Sequence, residues 1–226
     1  MALAVPEAVF FPIKGETLPV SCAEEILASA EEKGVLLVGP GLGRGSKTQE
    51  LVNYLIENTT KPIILDADGL YALAKQLDLL DKRDNSKLII TPHLGEMHRL
   101  MGIPAAEIAQ DKPFYAEEFS KKYGLVTVLK GPDTVVANPT GKVMVNTTGN
   151  PGMAVGGSGD VLAGMIASLT AQGLVPFDAA TVGVYLHGLA GDYAACQLSQ
   201  TAMLPSDMID ELPRVFKRLE SQDKDL

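Results

Sequence analysis

Four short apolar runs recur along the chain, each ending in a polar, glycine-bearing loop: residues 35–38, 62–65, 87–90 and 125–129. They do not alternate between apolar and polar positions. Strands buried on both faces read this way, so the runs predict a parallel sheet. Between them the pattern predicts helices at about residues 21–33, 47–58, 70–79, 96–101, 104–110 and 113–122. Ser21 serves as a cap for the first, with Glu24 three residues on. Residues 134–137 and 142–146 are β-rich and flank Asn138-Pro139-Thr140-Gly141, which predicts a hairpin. The remainder is helical, at about residues 160–172, 178–198 and 207–219. The first 22 residues, with Pro6, Pro12 and Pro19, read as irregular, and residues 220–226 as a polar frayed end.

Strands alternating with helices predict an α/β fold with right-handed crossovers: a mostly parallel central sheet flanked by helices. With no repeat, linker or low-complexity tract, residues 1–226 are expected to form a single domain. In such sheets ligands bind beyond the carboxyl ends of the strands. The polar loops of this chain fall at those ends.

The richest of the loops is residues 149–164, Gly-Asn-Pro-Gly-Met-Ala-Val-Gly-Gly-Ser-Gly-Asp-Val-Leu-Ala-Gly, which runs straight into an apolar helical pattern. A glycine-rich turn opening a helix offers unpaired N–H groups and partial positive charge, hence an anion site, with phosphate the natural occupant. Gly156, Gly157, Ser158 and Gly159 form the expected cradle. Asp160 closes it, either as a base that takes a proton from an attacking hydroxyl or as a cap on the helix. The loop is not a Walker loop, since no Lys follows the glycines, and not a dinucleotide fingerprint, since no strand leads directly into it.

Other loops carry further candidates. Residues 39–45, Gly-Pro-Gly-Leu-Gly-Arg-Gly, either wrap a ligand or make a tight turn. Asp66 and Asp68 end a strand and could orient Mg²⁺ or a ribose hydroxyl; Asp68 is also placed to cap the next helix. His93, on the Thr-Pro-His-Leu-Gly loop, is a candidate substrate contact. Glu96 either binds a metal or favours the helix dipole. Lys130 ends a strand at the same rim, where an ammonium can neutralise transferring phosphate. His187 sits inside an apolar pattern and reads as a packed helix residue with a satisfied ring, and His98 as a surface residue.

Composition narrows the field. The 226 residues are 46% hydrophobic and 21% charged, the balance of a globular protein. A net charge of −9 argues against a nucleic-acid binder, but not against a local phosphate site built from backbone dipoles. Two cysteines, Cys22 and Cys196, suit a reducing compartment. No charged-then-apolar pattern of a signal peptide is read at Met1, and no apolar run approaches about 18 residues. A cytoplasmic protein that engages neither membrane nor nucleic acid is expected.

Gly-Pro-Gly-Leu-Gly (39–43), Leu-Asp-Ala-Asp-Gly (65–69), Thr-Pro-His-Leu-Gly-Glu (91–96), Val-Leu-Lys-Gly (128–131) and the 149–164 loop, in this order, resemble the ADP-dependent NAD(P)H-hydrate dehydratases of the ribokinase-like fold. The likeness covers roughly residues 35–210. It implies repair of hydrated NADH or NADPH, with ADP consumed to AMP and phosphate, through phosphorylation of the substrate hydroxyl and elimination. It also implies that Lys130, Gly131, Pro132, Asp133, Thr134 and Gly159 contact AMP. Gly41, His93 and Asp160 would touch the hydrated nicotinamide nucleotide, and Mg²⁺ would accompany the phosphates. The implied assembly is a homo-tetramer, with an epimerase domain as a possible partner. The family's opening helix and an early strand would precede Met1, so the N-terminal part of the family fold is expected to be absent from this chain. Two rival functions share the local chemistry: a vitamin-precursor kinase of the same fold, and a non-catalytic nucleotide sensor.

Overall fold

The computed structural model describes residue 5, residues 7–13 and residues 18–222; the expectations for Pro6 and residues 223–226 lie outside them. Helix α1, Ala23–Lys33, follows a 3-10 turn at Val20–Cys22. The cap expected at Ser21 is not made. The helix starts two residues later, Cys22 occupies the cap position, and it makes no side-chain capping bond. The Val20–Cys22 turn has already used the segment in which a box would form. Gly34, with φ 89°, ends the helix in the left-handed conformation and bonds back to the Ala30 carbonyl.

The strands and helices then alternate as the apolar runs demand: β1 Leu36–Val38, α2 Ser46–Asn58, β2 Ile63–Leu65, α3 Asp68–Leu73, β3 Leu88–Ile90 and α4 Leu94–Met101. The short α5, Ala105–Ile108, and α6, Lys112–Tyr123, lead into β4, Val126–Leu129. Helix α3 stops six residues short of its expected end, and a separate 3-10 helix at Leu77–Lys82 takes over. The hairpin is β5 Val135–Ala137 and β6 Val143–Val145. Three helices finish the chain: α7 Ser158–Ala171, α8 Pro176–Leu198 and α9 Pro205–Gln222. The last of these runs through positions 220–222, which the polar composition had marked as frayed.

The six strands lie in sequence order, β1 to β4 parallel and β4, β5 and β6 antiparallel. Val38, Leu65 and Ile90 stand in one register row. The strand order does not reverse, because α2, α3, α4 and α6 cover one face with Ile63, Leu65, Leu88 and Ile90. Ile64, Ile89, Val126 and Val128 point the other way, onto Leu162 and Ile166 of α7 and Val184 of α8. Full burial of side chains of this size contributes about 1.5–3 kcal/mol each before entropy is counted. Helix α9 packs outside α8 through Met208 and Val215. Among the described residues no helix is long and apolar enough to cross a membrane.

Candidate active site

The carboxyl ends of β1 to β4 are tied into one rim by backbone bonds that continue past the strands. Asp66 N donates to Val38 O (3.1 Å), Thr91 N to Leu65 O (3.1 Å) and Lys130 N to Pro92 O (2.8 Å). Gly39 makes the first junction possible. Its φ is 133°, and a Cβ there would lie 1.7 Å from the Asp66 carbonyl oxygen. Only glycine fits so close an approach in that conformation.

Between the two acids of the β2 loop, Ala67 has φ 48° and ψ −115°, a sparsely populated conformation for a residue with a side chain. The two acids take separate partners. Asp66, 1% exposed, accepts from Lys130 Nζ at 2.6 Å. Asp68 accepts from the Gly43 amide at 2.9 Å and from Arg44 Nε at 2.8 Å. Asp68 therefore makes no capping bond to its own helix; the 39–45 loop has taken its carboxylate. Arg44 is held more firmly protonated by this bond.

The amino end of α7 arrives at this rim from the opposite face of the sheet. Gly157 caps it with φ 96°. Its first internal bond runs from Val161 N to Gly157 O, and Ser158 N reaches Val155 O at 3.3 Å. No acceptor is recorded among the described residues for the amides of Gly156, Gly157, Gly159 and Asp160. A Cβ on Gly159 would sit 3.3 Å from Lys130 Nζ and 3.7 Å from Asp66 Oδ2. The predicted glycine cradle and the predicted lysine are thus brought together, although about thirty residues and two strands separate them. A free helix start facing an ammonium can hold an anion.

Ser158 contributes differently from the glycines beside it. Its hydroxyl is buried and lies 3.4 Å from His187 Nε2 on α8. His187 is thereby the packed helix residue its apolar setting predicted. Burial pushes its pKa down from 6.5 to about 4, and the Lys130 charge adds to the shift, so the ring is neutral near pH 7. Asp160, exposed in the first turn of α7, stands at the lip of an apolar groove lined by Met165, Leu169, Ile209, Leu212 and Phe216.

On the neighbouring loop, His93 caps α4. Its Nδ1 accepts from the amides of Gly95 (2.9 Å) and Glu96 (3.3 Å), while Glu96 Oε2 accepts from the His93 amide at 2.8 Å. This reciprocal box places the proton of a neutral His93 ring on Nε2, the nitrogen 3.5 Å from Glu96 Oε1. Glu96 is 7% exposed and already engaged. Among the described residues no group of three or more His, Cys, Asp and Glu side chains gathers as a metal cluster. His98, exposed as expected, bonds the Ile103 carbonyl.

Two residues that the sequence pattern did not single out shape the loops. Lys112 donates to the carbonyls of Pro132 and of Asp133, the latter at 2.8 Å, and so secures the 130–134 loop, where Gly131 (φ 132°) and Asp133 (φ 51°) both lie in the left-handed half. Burial lowers the Lys112 pKa. Thr134 closes the turn by donating to the Gly131 carbonyl. Asp192 of α8 accepts from the Gly149 amide (2.9 Å) and Asn150 Nδ2 (3.0 Å), fixing the approach to the glycine loop. Asp192 carried a faint signal, the Gly188–Gly191 spacing that lets α8 approach another segment closely. Lys112 carried none.

The family model described as NAD(P)H-hydrate dehydratase matches residues 2–214. A bifunctional NAD(P)H-hydrate repair enzyme of Moorella thermoacetica is 44% identical over 98% of this chain, which spans 41% of that relative's length. The solved ADP/ATP-dependent NAD(P)H-hydrate dehydratase of Bacillus subtilis, co-crystallized with ATP/Mg²⁺, is 36% identical over 82% of this chain and 64% of its own, with a TM-score of 0.72. A ribokinase-like superfamily protein of Enterococcus faecalis superposes with a TM-score of 0.78 at 28% identity, over 96% of this chain and 72% of its own. The sheet and its helices are therefore a ribokinase-like fold.

Proposed function

The chain belongs to the NAD(P)H-hydrate dehydratase family, and we propose from that premise that it dehydrates hydrated NADH and NADPH with ADP as phosphoryl donor. The observation that carries this reading is the free start of α7 facing the Lys130–Asp66 pair, with Asp160 in the same turn. The chain spans less than half of its bifunctional relative, so the reading concerns the dehydration alone.

The β-phosphate of ADP takes the amides of Gly159 and Asp160, and Lys130 balances its charge. The 130–134 loop, secured by Lys112, takes the AMP portion. The substrate lies along Gly41 and His93 with its hydroxyl at Asp160. Asp160 takes the hydroxyl proton, the oxygen bonds to the β-phosphorus, and the bond from that phosphorus to the bridging oxygen breaks, releasing AMP. The C–O bond of the new phosphate ester then breaks while the adjacent ring carbon loses a proton. The double bond returns and phosphate carries off the original hydroxyl oxygen. Neutral His187 supports the cradle from beneath without adding charge.

The donor set fits Mg²⁺ carried by the nucleotide rather than caged by protein. Glu96, whose Oε2 accepts from the His93 amide, would offer the ion only its Oε1, Asp160 is kept for the hydroxyl proton, and Asp66 is occupied by Lys130. When bound, the ion neutralises phosphate charge. The protein is proposed to act in the cytoplasm as a homo-tetramer, with epimerase activity supplied by a partner domain.

The test is incubation with hydrated NADH and ADP. Regained reduced-nicotinamide absorbance and AMP in equal amounts are expected, and Asp160→Asn should remove turnover while leaving ADP affinity largely unchanged. Turnover of a vitamin alcohol without regained absorbance would replace the reading by a kinase. ADP binding without AMP formation would replace it by a sensor.

A further inference from the structure

One feature of the rim takes no part in the chemistry above. The ring of Tyr71, on α3 a turn past Asp68, has three cations around it. Arg44 Cζ lies 5.0 Å from its centroid, Lys75 Nζ 5.5 Å and Arg99 Cζ 5.8 Å. They come from three separate elements: the loop after β1, the middle of the β2–β3 connection, and α4. All three are exposed. Each gains from the ring face, but together they repel. Asp68 neutralises Arg44. Lys75 and Arg99 are paired with no carboxylate among the described residues. In a chain of net charge −9, such a gathering is a local feature and not a basic surface. Its unbalanced charge suits an anion.

Its position suits a particular anion. Arg44 is three residues from Gly41, and Arg99 is one turn beyond Glu96, so the cluster adjoins the two loops assigned to the dinucleotide. Arg44 also lies within the field of Glu96. We propose that Arg44, Lys75 and Arg99, organised by Tyr71, form a subsite for a phosphate of the dinucleotide substrate, away from the reacting ring. This rests on the proposed function. Phosphate could come from the pyrophosphate bridge, which both hydrated cofactors carry, or from the ribose 2′-phosphate, which only the NADPH form carries.

The experiment uses Lys75→Gln, Arg99→Gln and the double variant, all at exposed positions outside the hydrogen-bonded core of the rim. Thermal unfolding should be unchanged. Binding of the product dinucleotides NADPH and NADH is measured by their fluorescence at two salt concentrations, and turnover of both hydrated forms alongside. The double variant should weaken NADPH binding about tenfold, with a shallower salt dependence and kcat retained. Loss confined to NADPH supports the 2′-phosphate as the source, and equal loss for NADH supports the pyrophosphate. Affinities within about twofold of wild type for both dinucleotides, while wild type turns over, overturn the subsite and leave the function standing. A wild type that binds neither dinucleotide overturns both. A wild type that binds NADPH without turnover, and loses that affinity in the double variant, overturns only the dehydratase reading and supports the subsite.

Discussion

Removing the ammonium of Lys130 tests stability and site together. Its partner Asp66 has a side chain only 2% exposed, and Lys130 itself is 18% exposed, with 2.6 Å between Nζ and Oδ1. Lys130→Met leaves a carboxylate in a desolvated rim with its cation gone. Breaking a buried pair from one side costs about 3–5 kcal/mol, and the partial hydration of Lys130 places this case near about 3. That is a large share of the roughly 5–15 kcal/mol that holds a domain together. For a chain of this size it corresponds to a fall in Tm of about 6–12 °C. Urea unfolding of Lys130→Met, Asp66→Asn and the double variant measures it. The double variant should recover most of the loss, because no buried charge is left unpaired. Nucleotide affinity should stay weak in both Lys130→Met and the double, since neither restores the cation. A Lys130→Met protein within about 0.5 kcal/mol of wild type would refute the pairing argument. So would a double variant no more stable than the single.

Other outcomes follow from the same geometry. Gly159→Val should weaken ADP binding by about tenfold or more, because its branches would crowd Lys130 Nζ, 3.3 Å from the Cβ position, and cover the free amides; unchanged affinity by calorimetry would place the phosphate elsewhere. His187 titrates at about 4 in the folded chain against 6.5 ordinarily, so between those values the unfolded chain binds a proton that the folded chain refuses. Stability should therefore be full above about pH 6.5 and fall by about 3 kcal/mol as pH drops to about 4. Urea midpoints across that range should show the slope, and His187→Gln should flatten it; an identical slope in the variant would assign the titration to another group.

Much of this was legible because burial on both faces leaves a plain mark. The runs ending at Val38, Leu65, Ile90 and Leu129 each gave a strand to within a residue or two, and the loops after them are the rim. The turn opening α7 was legible because so many residues lacking Cβ close together mark a tight turn, and its amides at Gly156, Gly157, Gly159 and Asp160 are left without backbone acceptors among the described residues. The failures are local competitions that tertiary partners decided. Asp68 had the right chemistry for a cap, but Gly43 and Arg44, about 25 positions away, bind it instead. Glu96 had two readings, and the capping box it forms with His93 shows the helix-end role for both without excluding a ligand. Lys112 was invisible, because an ammonium reaching two carbonyls about 20 residues distant leaves no periodicity. The pairing of Lys130 with Asp66, 64 positions apart, needed the sheet to form first.

The central claim is that the nucleotide's phosphates meet the start of α7 beside Lys130. A crystal structure with ADP bound tests it most directly. The account predicts β-phosphate oxygens within hydrogen-bonding distance of the Gly159 and Asp160 amides and of Lys130 Nζ. Phosphates ordered against any other loop, with those amides facing solvent, would contradict it.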